Sequence, residues 1–273
     1  MYLLVYVDDI LITGSSPEAI LELITKLQHK FTIKHLGQAH HFLGIKIQSF
    51  KDKYFLSQRT YAESILIQSN LLSCNPVANP SSTKVQSSVP QDSHLSDAST
   101  YRRIIGSLQY LTITRPDIAY AVNSLSQHMQ NPSQYDAHNL KRLLRYIKGT
   151  LTFGLPISKA QLSLQTFSDA DWAGDPDTRQ STSGYCTFLG DTLISWAVKK
   201  QNTIARSSME LKYRALALAT ADTIWLKRLL QDFHIPHNQP IKLFCDNTSA
   251  IALALNLVFH ARTKHIEIDQ RFV

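Results

Sequence analysis

Cysteine is scarce in this sequence. Only Cys74, Cys186 and Cys245 occur among the 273 residues, and none of them forms a CxxC pair with another. Such usage predicts reduced thiols in a reducing compartment, and it excludes the paired spacing that structural zinc sites use.

Long apolar runs are also missing. The chain begins with the seven residues MYLLVYV, and two aspartates follow them. A membrane-spanning helix needs about 18 or more apolar residues. No basic segment precedes this stretch, so it does not resemble a secretory signal. We therefore expect a protein that is neither embedded in a membrane nor secreted, and that resides in the cytoplasm or the nucleus.

Positive charge, in contrast, is in excess. Lysine and arginine number 28 and acidic residues 21, which gives a net charge of +7, and apolar residues make up 44% of the chain. The composition is typical of a globular protein with one large domain or two ordinary ones. A basic excess suits a partner with a phosphate backbone without identifying that partner.

The N-terminal segment begins with an interrupted strand. Apolar residues flank Asp8 and Asp9 on both sides, which indicates a strand, an acidic turn and a second strand. Ser16 and Pro17 follow in the positions of a helix cap and a first helical residue, ahead of an amphipathic pattern.

Further along, alternating apolar residues on both sides of 51–53 predict a β-hairpin, and the pattern of 60–70 predicts a helix. Residues 1–72 thus indicate an α+β module. Residues 73–100, rich in serine and interrupted by proline, are predicted to be a linker.

Residues 101–158 are predicted to be helical. The segment YDAHNLKRLLRYIKGT separates leucine and isoleucine on one side from four cations on the other: Lys141, Arg142, Arg145 and Lys148. Four cations on one face can contact successive phosphates of a nucleic acid. A solvated surface face explains the same pattern equally well.

Residues 159–273 predict a mixed sheet with helices packed on it. The pattern is three strands, a long helix, a strand, a short helix and a final strand. Asp169 ends the first strand, Asp246 ends the fourth, and Glu210 lies in the first turn of the long helix. Because parallel strands end at the same edge, we expect these three acids to converge there and to bind Mg²⁺ or Mn²⁺.

Each of these acids also has a structural interpretation. Glu210 fits an S-x-x-E capping box that begins at Ser207, and Asp246 fits an ordinary helix cap. Asp169, together with Asp171, Asp175 and Asp177, fits a solvated acidic loop. On the last predicted strand Glu267 and Asp269 share one face, so either could supply a fourth carboxylate, with Glu267 favoured.

Eight segments of the chain match one protein family in order. They are YVDDILITG, HFLGIKI, LTITRPDIAYAVN, LKRLLRYIKGT, SDADWAGDPDTRQSTSGYCTFLG, LISWAVKKQ, CDNTSAIALA and HARTKHIEID. Over nearly its whole length the chain resembles the C-terminal part of the Pol polyprotein of plant copia-type LTR retrotransposons. That part comprises the end of the reverse transcriptase and most of the ribonuclease H.

The resemblance implies a partial reverse-transcriptase palm with a helical thumb or connection region, followed by a ribonuclease H-like domain. It assigns Asp8 and Asp9 to the polymerase metal ions. It assigns Asp169, Glu210 and Asp246 to the metal ions of the ribonuclease H.

Two departures from the family bear on activity. The family's SSTEAEYRA reads SSMELKYRA here, which places Lys212 where a second acid would lie and weakens the field that attracts metal. The chain also ends at QRFV, where relatives continue into a further helix, so we expect a C-terminally truncated domain.

The leading hypothesis is a reverse transcriptase/ribonuclease H fragment that cleaves RNA in RNA–DNA hybrids with Mg²⁺, through metal-assisted attack of water on phosphorus. The alternative is a noncatalytic nucleic-acid-binding remnant or pseudogene product. A third hypothesis is a subunit that completes a split polymerase with the missing N-terminal reverse-transcriptase portion.

We predict that this chain alone does not extend a primer. Polymerisation needs a third palm aspartate and the nucleotide-binding fingers in addition to Asp8 and Asp9, and both would precede Met1. The measurement is template-directed incorporation of labelled nucleotides by the purified protein. Incorporation above a heat-inactivated control would contradict the prediction.

Overall fold

The computed structural model describes residues 1–82, 97–175, 178–235, 237 and 239–255. Helices accompany three sheets, in agreement with the predicted α+β class. Of the helices in these ranges, none combines the length and apolar character needed to cross a bilayer.

The first sheet is a hairpin of β1 (Tyr2–Tyr6) and β2 (Asp9–Thr13). Val7 and Asp8 form its turn, and Val7 adopts a positive φ of 48°, which is unusual for a β-branched residue. The strand, acidic turn and strand predicted from the sequence are therefore confirmed.

Helix α1 (Pro17–Lys30) follows the hairpin and begins as predicted. The Ser16 hydroxyl accepts a hydrogen bond from the Ala19 N–H at 3.3 Å, and Pro17 is the first helical residue. The cap satisfies one of the N–H groups that a helix start leaves without a partner.

The second sheet has the order β3-β4-β5-β6. Its strands are β3 (His41–Phe42), β4 (Ile45–Phe50), β5 (Lys53–Ser57) and β6 (Leu155–Ser158). The hairpin of β4 and β5 confirms the prediction, whereas β6 comes from the part of the chain that was predicted to be helical. The sequence patterns missed β6 because a strand of this length has too few residues to show alternation.

Gly154 explains how β6 enters this sheet. A side chain at this position would place its Cβ 2.3 Å from the Leu56 carbonyl oxygen of β5. Only glycine permits the backbone to approach β5 so closely.

Four helices and a 3₁₀ turn share one hydrophobic core. They are α2 (Arg59–Gln68), α3 (Ala98–Leu111), the turn Pro116–Ile118, α4 (Ala119–Ser126) and α5 (Gln134–Gly149). Ile65 of α2 and Leu143 of α5 are both buried in this cluster. Packing therefore continues across the predicted linker, and the boundaries at 72, 100 and 158 stay predictions.

The third sheet has the order β10-β7-β8-β9. Its strands are β7 (Leu164–Ala170), β8 (Thr182–Leu189), β9 (Thr192–Lys200) and β10 (Lys242–Phe244), and the helices are α6 (Ser208–Asp232) and α7 (Thr248–Leu255). Strand β10 pairs parallel to β7, and the other neighbours are antiparallel. The mixed sheet is thus as predicted. The final predicted strand lies outside the described residues.

The helical core and the third sheet are in contact. The Asn123 side-chain amide of α4 donates a hydrogen bond to the Val198 carbonyl of β9 at 3.0 Å. The Ser158 N–H of β6 donates to the Thr192 hydroxyl at 3.1 Å. Each bond pairs a side chain with a backbone group, and together they join the helical core and the second sheet to the third sheet.

A charged capping box holds the start of α5. The Ser133 hydroxyl accepts from the Asp136 N–H, and the Asp136 carboxylate accepts from the Ser133 N–H at 2.8 Å and contacts His128 Nδ1 at 2.6 Å. The hydrogen bond to Asp136 raises the pKa of His128. Although burial opposes it, hydrogen bonds from His128 and Ser133 lower the pKa of Asp136.

This cap predicts a pH-dependent stability. The raised His128 pKa stabilises the fold below its ordinary value of 6.5, and this contribution is lost as the pH rises through the folded-state value. The lowered Asp136 pKa stabilises the fold above 3.8, and this contribution is lost as the pH falls through the folded-state value. We expect His128→Gln to flatten the decline in stability that the parent shows as the pH rises from 6.5.

Urea denaturation at a series of pH values measures this effect. His138→Gln, an exposed position on α5, is the control and keeps the parental slope. An unchanged slope in His128→Gln would contradict the prediction.

Candidate functional site

Two acidic side chains meet at one edge of the third sheet. Phe167 of β7 and Phe244 of β10 are partners in the parallel register, and their rings stack with centroids 4.7 Å apart. Asp169 lies two residues after Phe167, and Asp246 lies two residues after Phe244. The carboxyl ends of β7 and β10 therefore place both carboxylates at the same edge, as the sequence predicted.

Lys212 of α6 joins these two carboxylates. Its Nζ donates to Oδ1 of Asp169 and lies 2.9 Å from Oδ1 and 3.1 Å from Oδ2 of Asp246. The Lys212 side chain is 14% exposed, while the two aspartates are mostly exposed. Burial opposes the ammonium charge, but the hydrogen bonds to both aspartates raise the pKa of Lys212. We call these three side chains the Lys212 bridge.

Glu210 has different partners at the start of α6. Its Oε1 lies 2.6 Å from Nη2 of Arg214, and its Oε2 accepts from the Arg206 N–H at 2.9 Å. The Glu210 N–H donates to the Ser207 hydroxyl at 3.2 Å. Ser207 is therefore the predicted cap, whereas the Glu210 carboxylate contacts the Arg206 N–H rather than closing the box on Ser207.

The helical geometry of α6 separates Glu210 from the aspartates. Residues two positions apart differ by about 200° around a helix, so Glu210 and Lys212 project to nearly opposite sides. In the described part of the chain, no three acidic, histidine or cysteine side chains form a group that could hold a metal ion. The expectation that Glu210 joins Asp169 and Asp246 is thus corrected: Lys212 reaches them instead.

The side chains present at this edge do not fit a divalent ion. Such an ion needs several free oxygen ligands, and the Lys212 ammonium already contacts oxygens of both aspartates. The two candidates for a further carboxylate, Glu267 and Asp269, lie outside the described residues. Metal binding by Asp169 and Asp246 stays a prediction.

The predicted polymerase acids lie at the first hairpin. Asp8 is in the turn and Asp9 begins β2, and both are exposed. They belong to no metal-holding group among the described residues. Their assignment to a polymerase site remains what the resemblance implies.

The four predicted cations of α5 are not equivalent. Lys141 is exposed and Lys148 is half-buried. Arg145 Nε donates to the Asn75 carbonyl at 2.8 Å, and Arg142 Nε is buried without a hydrogen-bond partner. The two lysines are therefore the better candidates for phosphate contacts.

Arg214 is the functional neighbour that the sequence analysis missed. A signal was present, because positions 210 and 214 have the i,i+4 spacing of a helical Glu–Arg pair. Lys212 was noted as a departure from the family, but its contact with both aspartates depends on the position of α6 over the sheet.

Comparisons with known proteins identify the family. Residues 1–83 match the family model for reverse transcriptase (RNA-dependent DNA polymerase). The chain is 43% identical over 274 residues to the retrovirus-related Pol polyprotein from transposon RE1 of Arabidopsis thaliana, covering all of this chain and 19% of that protein. The chain belongs to the copia-type Pol polyproteins.

Other comparisons agree with this membership. The Pol polyprotein from transposon TNT 1-94 of Nicotiana tabacum is 36% identical over 281 residues, covering 99% of this chain and 21% of that protein. The chain thus spans about a fifth of the length of these Pol polyproteins. An uncharacterized mitochondrial protein of Arabidopsis thaliana is 51% identical over 226 residues, which is 82% of this chain and 94% of that protein.

A solved structure shows the same fold. The foamy viral protease-reverse transcriptase in complex with double-stranded DNA superposes with a TM-score of 0.53 and 14% identity. The match covers 98% of this Pol chain and 43% of the viral one. The chain therefore belongs to the copia-type Pol polyproteins by sequence and shares its fold with a viral reverse transcriptase.

We predict that Arg214→Met destabilises this Pol fragment. The substitution removes a guanidinium from the buried Glu210 carboxylate, which is 4% exposed, and breaking such a pair costs about 3 kcal/mol or more. Urea denaturation measures the loss. Arg228→Met, an exposed position on the same helix, is the control and changes stability by no more than about 0.5 kcal/mol.

A second variant tests the cause. Glu210→Gln combined with Arg214→Met removes the buried charge together with its partner, so we expect it to be more stable than Arg214→Met alone. Equal stability of Arg214→Met and the Arg228→Met control would show that the ion pair contributes nothing.

Proposed function

We propose that this Pol fragment binds nucleic acid and that its ligand is an RNA–DNA hybrid. The observation that carries the proposal is the convergence of Asp169 and Asp246 at one edge of a β10-β7-β8-β9 sheet in a copia-type Pol chain. Polar groups at the carboxyl ends of strands are where open α/β sheets tend to bind their ligands. The foamy viral neighbour in complex with double-stranded DNA supports a nucleic-acid partner.

Exposed cations on β9 and α5 support contacts with phosphates. Strand register places Lys199 of β9 opposite Ser183 of β8, which in turn lies opposite Ala170, the residue after Asp169. Lys199 is exposed. Together with Lys141 on α5 it supplies positive charge that carries no base information, so selectivity for a hybrid has to come from its A-like shape and its 2′-hydroxyl groups.

Metal-dependent cleavage of the hybrid is the second candidate function. The closeness of Asp169 and Asp246 favours it, because carboxylates at such an edge are suited to Mg²⁺. Lys212 between them argues against it. Binding without cleavage is therefore the function that the contacts support best.

An N-terminal reverse-transcriptase portion on a separate chain is a further proposed partner. The apolar residues of β1, including Leu4 and Val5, are exposed at 54% and 57%. A polymerase chain that packs against β1 would bury these residues.

We predict that hybrid binding depends on salt and does not depend on metal. Fluorescence anisotropy with a labelled RNA–DNA hybrid, in Mg²⁺ and in EDTA, measures both properties. We expect equal affinity in the two buffers and a steep loss of affinity as salt increases. Absence of binding at low salt would overturn the proposed function.

Two lysines on α5 provide a sharper test. Lys141→Ala combined with Lys148→Ala removes two phosphate contacts and lowers the salt slope by about 2. Lys26→Ala, an exposed lysine on α1, is the control and leaves the slope unchanged. Competition with double-stranded DNA and double-stranded RNA of the same length then tests the preference for the hybrid, and a tighter complex with either duplex would contradict it.

A further inference from the structure

The Lys212 bridge places a fixed cation at the acidic edge of the third sheet. We propose that the Lys212 ammonium takes the place of a divalent cation between Asp169 and Asp246, so that this edge binds neither Mg²⁺ nor Mn²⁺ and the bound nucleic acid stays intact. The inference rests on the proposed function only in taking this edge as the one that faces the nucleic acid.

The contacts of Nζ are the first argument. The ammonium touches one oxygen of Asp169 and both oxygens of Asp246. These are the atoms with which a hard cation would have to coordinate. An ion could reach them only after the ammonium had moved away.

Charge is the second argument. Two carboxylates and one ammonium sum to −2 + 1 = −1, whereas the two carboxylates without Lys212 carry −2. The bridge thus halves the charge that would attract a divalent ion, and its own positive charge repels that ion at close range.

The packing of α6 holds Lys212 in this position. Leu211 is fully buried in a cluster with Ala170, the residue that follows Asp169. Tyr213 is buried in a second cluster with Ala250 of α7, the helix that Asn247 caps directly after Asp246. Both neighbours of Lys212 are therefore anchored beside one of its two aspartates.

Among the described residues, no third carboxylate joins Asp169 and Asp246 in a group that could hold a metal ion. Glu210 lies on the far side of α6 and contacts Arg214 and the Arg206 N–H. Position 212 is thus the only helix position shown to reach both aspartates. A glutamate there would turn two carboxylates and a cation into three carboxylates.

Direct metal binding tests the inference. Titration with Mn²⁺, followed by the electron paramagnetic resonance signal of the free ion and without nucleic acid, is applied to the parent, Lys212→Glu, Lys212→Met and Arg228→Glu. Arg228 is exposed on the same helix, so its glutamate variant has the same change in charge away from the edge. We expect Lys212→Glu to bind Mn²⁺ at least about tenfold more tightly than Arg228→Glu, because the charge of the ligands sets the affinity.

Lys212→Met keeps the test valid if the glutamate variant does not fold. It removes the ammonium without adding an oxygen, so we expect it to bind Mn²⁺ more tightly than the parent. Thermal unfolding provides a second measurement, since Mn²⁺ raises the melting temperature only of variants that bind it. Equal Mn²⁺ affinity of the parent and Lys212→Met would overturn the inference.

The hybrid assay separates this inference from the proposed function. If the parent binds the hybrid in EDTA and leaves its RNA strand intact in Mg²⁺, the result supports the proposed function and the inference about the Lys212 bridge. Cleavage by the parent that Asp169→Asn abolishes would overturn the inference and leave hybrid binding in place. Failure of hybrid binding would overturn the proposed function, and the Mn²⁺ titrations would still stand.

Discussion

The contact of Lys212 with Asp169 and Asp246 determines what the edge of the third sheet can do. Two carboxylates at the ends of parallel strands repel each other unless a cation lies between them. In this chain the cation is part of the protein, supplied by α6 and held by buried residues on both sides. The electrostatics of the edge therefore depend on the rotation of α6 about its axis, which packing fixes.

That rotation also explains why Glu210 has a structural role. A helix that directs position 212 toward the sheet edge directs position 210 away from it. The Glu210 carboxylate is then buried against Arg214 and the Arg206 N–H, where it stabilises the start of α6. One helix thus separates an acid that supports the fold from a cation that acts at the edge.

Much of the fold and part of the site follow from local sequence signals. Ser16 and Pro17 start α1 as their residue types predict, and β10 is parallel to β7, so Asp169 and Asp246 meet. The pairing of β6 with β5 could not be predicted, because it joins distant segments of the chain. The Glu210–Arg214 pair is local instead, and its i,i+4 spacing was a signal in the sequence. Arg145 likewise belonged to a predicted binding face, yet its Nε donates to the carbonyl of the exposed Asn75, a residue far away in the sequence.

The identity of residue 212 has an evolutionary consequence. Lysine and glutamate codons differ only in their first base, so a single nucleotide change would exchange the ammonium of the Lys212 bridge for a carboxylate. Such a change alters only the side chain at the sheet edge and leaves the buried neighbours Leu211 and Tyr213 in place. In copies of a transposon that diverge by point mutation, this edge can thus alternate between two electrostatic states while the scaffold is preserved.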